Sequence, residues 1–304
     1  MTKQYIDGRS SYRALSRSTK IDKNTILKVV LEVSSCIVDS SFIAERFNPK
    51  WSGILSFDGK YVRVFDWSAQ HFDLTSREKK AAHKKVVLAG VDVPTKDIPY
   101  WRLGDEETMI DLVMYFEGLK EINYPLRILV CDGNPDIVRA ARKVYGASFE
   151  VQLCHKHFLD MLRVYLRDEE VSYITETEEF IESIRESLIQ KNTPRIVMNT
   201  KIQEKISNCF ERNYQNLFTY TKHNAIPRTN NHIENYFKQL NMRLKTINLF
   251  QTRENAESCI NTLILSRRFT KFTCCRGYNK YKNGKAPLEL AGCDISGIDY
   301  LNLK

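Results

Sequence analysis

The stretch ILSFDGKYVRVFDW, residues 54–67, decides the fold. Apolar and polar residues alternate on both sides of Asp58-Gly59, a pair that favours tight turns. The stretch therefore predicts two short strands joined at that pair. HKKVVLAGVDVP (His83–Pro94) predicts a third strand. After it the period lengthens: Met109, Leu112, Val113 and Phe116 recur at helical spacing within Asp105–Leu119. RILVC (Arg127–Cys131) reads as a buried strand, Pro135–Tyr145 as a helix and EVQLC (Glu150–Cys154) as a further strand. Three strands in meander order, followed by helix, strand, helix and strand, predict an α/β fold with a mixed sheet flanked by helices.

That order is the ribonuclease H-like plan. The catalytic domain is expected to start at 51 and run to 159, and to resume at 225–304 with a basic C-terminal segment. Between them, at 160–224, strand signals vanish. Glu-rich sequence with Ile181, Ile184 and Leu188 at helical spacing predicts an all-helical insertion. Residues 1–50 read as a separate helical region with helices at Ser11–Arg17 and Lys23–Ser35. Asp22 is placed to cap the second helix, which suits either a helix-turn-helix-like DNA-binding unit in which Lys23 and Asn24 face DNA or a plain helical hairpin. Past the loop holding Pro227, Thr229 or Asn230 should cap a strong helix with Ile233, Phe237, Leu240 and Leu244 on one face. Another helix is expected near Arg253–Phe269.

The chain has 304 residues, 42% hydrophobic and 27% charged, ample for a packed core and unlike a disordered sequence. No apolar run is long enough to cross a membrane and no secretory leader is visible, so a cytoplasmic, nucleoid-associated protein with no membrane partner is expected. The eight cysteines form no C-x-x-C pair and suit reduced thiols. Between Asn235 and Lys285, eleven Lys and Arg face two acids, so that segment carries 11 − 2 = +9, the whole net charge of the chain. Aromatic residues from Tyr236 to Tyr281 are interleaved with it. This is the footprint of a surface for a phosphate backbone; its plain alternative is a solvated basic face.

Two acids follow apolar runs and precede glycine: Asp58 after Ile54–Phe57 and Asp132 after Ile128–Cys131. Strand ends in such sheets gather ligands, and two close carboxylates repel unless a cation lies between them. Glu234, early in the helix after Asn230, is the best third acid. Carboxylates are hard donors suited to Mg²⁺ or Mn²⁺, and two such ions can serve phosphodiester chemistry. Taken singly, each has a plain reading: Asp58 as a turn, Glu234 as a surface partner of Lys238.

The chain resembles DDE transposases, in particular the Mutator-like elements and related prokaryotic insertion-sequence transposases. The likeness covers most of the sequence after Trp51. It rests on FDGKYVRV around the first Asp, LVCDGNPDIVRAARKVYG around the second, QLCHKHFLDML with its C-x-x-H at Cys154 and His157, and RTNNHIENYFKQLNMRLKTINLF around the final Glu. KYKNGKAPLELAG, 280–292, is similar to their closing segment. The intervals, 132 − 58 = 74 and 234 − 132 = 102 residues, leave room for a helical insertion in the second. The resemblance implies that Asp58, Asp132 and Glu234 are the metal-binding catalytic triad, with two Mg²⁺ or Mn²⁺ ions. It also implies DNA ends and target DNA as partners, and a homodimer or higher assembly on DNA. Arg228, Asn231, Lys238, Arg243 and Lys245 are the expected DNA contacts beside that triad. No zinc-ribbon cysteine pairs precede it, so recognition of element ends would rest on the helix-turn-helix.

A structural zinc site at Cys154 and His157 lacks further ligands in the sequence, since only His155 adds a donor. A Cys-His nucleophile has no orienting acid in view, and no phosphate-cradling Gly-Lys-Ser/Thr loop occurs. The alternatives to a transposase are a ribonuclease H-like nuclease that cuts without joining and a non-catalytic DNA-binding descendant.

Overall fold

No hairpin forms at Asp58-Gly59. In the computed structural model, β1 (Ile54–Arg63) runs straight through Asp58-Gly59. The structure describes residues 1–8, 10–65, 75–76, 83–168, 174–192, 200–247 and 249–303; positions 66 and 67, the end of the expected second strand, lie outside them. β1 pairs antiparallel with β2 (Lys84–Asp92), with Asp58 opposite Ala89 and Gly59 opposite Leu88. The ladder continues unbroken from Leu55 to Arg63, and this long-range pairing overrides the local turn preference of Asp-Gly. The third strand of the meander is β3 (Trp101–Gly104), antiparallel to β2. β4 (Ile128–Cys131) pairs parallel with β1, and β5 (Glu150–Leu153) parallel with β4. The five-stranded mixed sheet has the order β3-β2-β1-β4-β5, compatible with a ribonuclease H-like fold.

Side chains alternate along β1. Leu55 and Phe57 enter one core with α5 (Met109–Glu121) and α6 (Pro135–Tyr145), through Leu112, Tyr115, Phe116, Ile137 and Ala141. Val62 and Val64 enter a second core on the other face, with Ile233, Phe237, Leu240, Ile260 and Ile264 of the two long C-terminal helices, α10 (Asn231–Ile247) and α11 (Arg253–Phe269). Ser56 and Asp58 share the register of Val62, so they face α10.

The helical region begins earlier than position 160. α7 (His155–Asp168) starts directly after β5, followed by α8 (Ile174–Gln190) and α9 (Thr200–Leu217). Phe158, Leu162, Leu166, Ile181, Ile184, Leu188 and Phe210 join the same core as β4 and β5.

The first fifty residues are helical, but not a separate unit. α1 (Thr2–Ile6), α2 (Tyr12–Thr19) and α3 (Lys23–Ser35) precede α4 (Ser40–Phe47). Asp22 caps α3 as expected, accepting from the Asn24 and Thr25 amides. Tyr5, Ile6, Leu15, Ile26 and Val30 bury themselves with Leu263 of α11. Asp7 accepts hydrogen bonds from the Ser266 and Tyr300 hydroxyls at 2.6 and 2.9 Å. The apolar face that a free helix pair would leave bare is covered here by α11.

Candidate active site: a carboxylate cluster beside α10

The parallel pairing of β1 and β4 ends at Ser56 and Val130. Asp58 stands two residues beyond that point and Asp132 follows the end of β4. The two strands part there, and the carboxylates occupy the opening. Asp132 accepts the Asn134 amide at 2.9 Å, and the Asn134 side chain in turn caps α6. Asp58 accepts the amide of Gly59 at 2.8 Å.

Glu234 arrives on the first turn of α10. The start of α10 is fixed by Asn230, which is fully buried. Its side-chain amide donates to the Phe57 carbonyl oxygen at 2.7 Å, its Oδ1 accepts the Ser56 hydroxyl, and its backbone amide points at Cys154 Sγ, 3.2 Å away. Sequence alone suggests Asn230 as a helix cap; its side chain instead ties α10 to β1 beside Asp58. The first turn of α7 closes the site. Lys156 Nζ lies 3.2 Å and His157 Nε2 3.8 Å from the Glu234 carboxylate.

A fourth acid, Glu107, which the sequence does not single out, joins them. It lies in the turn before α5, over Gly59: a Cβ at Gly59 would meet the Glu107 carboxyl carbon at 3.3 Å. Its Oε1 is buried and has no hydrogen-bond partner among the described residues.

The electrostatics tie the cluster together. Burial first, then the neighbouring Asp132 and Glu234, push Asp58 up to about 6, against the opposing pull of the Gly59 amide and His157. Burial, then Asp132 and Asp58, push Glu107 up to about 7. His157 is raised to about 9 by its hydrogen bond with Cys154 and by the charges of Cys154, Asp58 and Asp132. Burial would raise the Cys154 thiol, but hydrogen bonds from His157 and the Asn230 amide bring it below its ordinary range.

A comparison within the molecule makes the cluster chemically distinct. Asp92 and Asp97 are also buried, but their oxygens are saturated. Asp92 accepts from Ser52, Gly53, Thr95 and Tyr124. Asp97 accepts from Trp51 and makes a two-pronged ion pair with Arg268 at 2.9 Å. Among the described residues, Asp58 and Asp132 each accept one backbone amide and the buried Glu107 Oε1 accepts none, which leaves the open acceptor capacity a cation site requires. Ligand atoms of Cys154, His157 and Glu234 lie within 4.8 Å of one another and could also hold a metal ion.

The other expected contacts divide. Arg228 and Asn231 are exposed and, with Lys156, Arg163 and Arg185, line a cleft of about 580 Å³ next to Glu234. Lys238 and Lys245 are exposed on α10. Lys23 and Asn24 are exposed at the start of α3, away from the carboxylates. Arg243 is not an exposed contact. It is 5% exposed, its guanidinium donates to the Tyr5 carbonyl oxygen and lies 4.7 Å from the Tyr5 ring centre. Its position two residues before Lys245 turns it toward α1 instead of solvent.

Among known proteins, no family model matches the chain and no curated protein matches it at a significant level. Among the described residues, no helix is long and apolar enough to cross a membrane.

Proposed function

We propose that this protein is a metal-dependent DNA transposase of the DDE type, with Asp58, Asp132 and Glu234 as its metal-binding carboxylates. The observation that carries the proposal is that Asp58, Asp132, Glu234 and Glu107 gather beside the point where β1 and β4 part, near enough for Asp132 and Glu234 to act on Asp58, and Asp132 and Asp58 on Glu107, through their charge. Oxygen-rich donors fit Mg²⁺ or Mn²⁺ better than a softer ion. Cys154 already faces the Asn230 amide and His157, which suits it to positioning.

A pair of such ions, when bound, would supply charge neutralisation at the attacking and leaving oxygens of a phosphodiester. Asp58 is held within β1 and Asp132 just past the end of β4, and the Asn230 side chain ties the helix carrying Glu234 to β1. Lys156 and His157 present positive charge at the rim, where they can orient a phosphate oxygen. The cleft lined by Lys156, Arg228 and Asn231 gives a DNA strand a basic path to the carboxylates, with Lys238 and Lys245 continuing it along α10. One site would serve water in cleavage and a DNA 3′-hydroxyl in joining. Assembly as a dimer or larger complex on paired DNA ends belongs to the same proposal.

The test is cleavage and joining of DNA carrying the sequences that flank the gene, with Mg²⁺ or Mn²⁺ and a chelated control. Metal-dependent nicking together with joined products is expected. Nicking without joining would leave the ribonuclease H-like nuclease reading, and no metal-dependent cleavage at all would overturn both.

A further inference from the structure

A second charged site lies on the opposite flank of α10. Glu234 and His232 are two residues apart, so they project from opposite sides of the buried stripe formed by Ile233, Phe237 and Leu240. On the His232 side is a cavity of about 290 Å³ whose polar lining includes Lys96, His232, Gln239, Arg267, Arg276 and Lys282.

The lining is cationic and built in. Lys282 is 4% exposed. Lys96 sits in the turn after β2 with a left-handed backbone, φ 63°, that L side chains seldom adopt. Its Nζ lies 2.9 Å from His232 Nδ1, and its ammonium also meets that of Lys282. Arg267 is fixed by stacking on Phe272, 4.4 Å from the ring centre. Among the described residues no carboxylate is ion-paired with Lys96, Lys282, Arg267 or Arg276. Asp92 acts on Lys96 and Asp97 on Arg267 through charge alone, and their oxygens are taken by Ser52, Thr95, Tyr124, Trp51 and Arg268. Gathering like charges under cover is unfavourable unless an anion completes the site.

We propose that this cavity binds a phosphate group. Four cationic side chains around one cavity match a tetrahedral oxyanion, with the arginines offering paired N–H donors and the lysines point charges. Burial and the neighbouring Lys282 bring Lys96 down to about 7 in the empty cavity, and an anion would restore its charge. The phosphate could come from a DNA backbone passing over α10 or from a free phosphorylated small molecule. The inference stands independently of the chemistry assigned to the carboxylates.

The test is calorimetric titration of the full chain with sodium orthophosphate in chelator-treated buffer, for the wild type and for Lys96→Gln, Lys282→Gln and Arg276→Gln. Arg276 is exposed at the rim, so its replacement does not disturb packing. Saturable binding is expected in the wild type, weakened about tenfold or more by each replacement, since each removes a charge-assisted contact. Asp132→Asn should bind phosphate as the wild type does. No saturable binding in the wild type, or the same affinity in all three Gln variants, would overturn the proposal. Adding duplex DNA identifies the source. Displacement of DNA by orthophosphate, with weaker DNA binding in the Gln variants, assigns the site to the backbone. Unchanged DNA binding assigns it to a free phosphorylated ligand.

Discussion

The Asn230 side chain donates a hydrogen bond to the carbonyl oxygen of Phe57 at 2.7 Å, so one buried amide joins the residue before Asp58 to the helix that carries Glu234. This bond adds to the packing of Val62 and Val64 against Ile233, Phe237 and Leu240 in holding α10 beside Asp58. Asn230→Ala leaves the Phe57 carbonyl and the Ser56 hydroxyl without their partner. It should cost about 1–3 kcal/mol of stability, the range for a buried polar group left unpaired. Metal affinity should fall as well, because Glu234 loses its fixed position. Urea unfolding and metal titration of the same variant check both, and a stability loss with unchanged metal affinity would show that Glu234 is placed by α7 instead.

Asp132→Asn should abolish DNA cleavage while leaving DNA binding intact. The replacement keeps volume and can keep the Asn134 amide contact, but removes a charged ligand at the point where β4 ends. Titration with Mg²⁺ or Mn²⁺ should raise the unfolding temperature of the wild type and not of the variant, since only ligand that binds the folded state stabilises it. Wild-type cleavage by the variant would move the metal to other acids of the cluster.

The pH dependence of stability reports the burial of these acids, to which the charge of their neighbours adds. Asp58 and Glu107 are held at about 6 and about 7, above their ordinary values of 3.8 and 4.5. A carboxyl raised on folding contributes stability that is fully present below its unfolded value and is lost as pH rises through its folded value. In chelator, the urea midpoint of the wild type should thus fall between about pH 4 and pH 7 relative to the Asp58→Asn, Glu107→Gln double variant, which lacks both titrations. Metal should narrow the difference by favouring the ionised forms. Parallel curves for the two proteins in chelator would show that neither carboxyl is raised on folding.

Much of the site is legible in the sequence because its acids follow apolar strands. Asp132 after Ile128–Cys131 is such a case, and the helix carrying Glu234 declares itself through Ile233, Phe237 and Leu240. Asp58-Gly59 misleads because the local signal for a turn is strong, while the pairing that overrides it comes from residues about thirty positions later in β2. β3 has only four residues, too few for alternation to register. Glu107 lies in the run Asp105-Glu106-Glu107 at the start of the stretch read as a helix, where nothing sets it apart from the two acids before it; in the structure the helix begins only at Met109. Only the fold brings one of the three over Gly59. The cationic cavity is likewise invisible, since Lys96 and Lys282 are far apart in sequence and meet through the turn after β2.

The basic segment after Glu234 looks uniform in sequence, yet the structure separates its members. Lys238 and Lys245 are exposed on the side of α10 that carries Glu234, seven residues apart and so about two turns along one flank. Each should contact a phosphate if DNA crosses the carboxylate cluster. Phosphate contacts release counterions, so Lys238→Ala and Lys245→Ala should each lower the log–log salt slope of DNA binding by about one and weaken all sequences alike. Stability should change little, as for most exposed positions. Arg243, between them in sequence, should behave in the opposite way. Its guanidinium bonds the Tyr5 carbonyl and covers the Tyr5 ring, so Arg243→Ala should loosen α1 and cost about 1–3 kcal/mol in urea unfolding while leaving the salt slope unchanged. Equal slopes for the wild type and both lysine variants would return the segment to a solvated basic face, and a lowered slope in Arg243→Ala would mean that α1 moves aside when DNA binds.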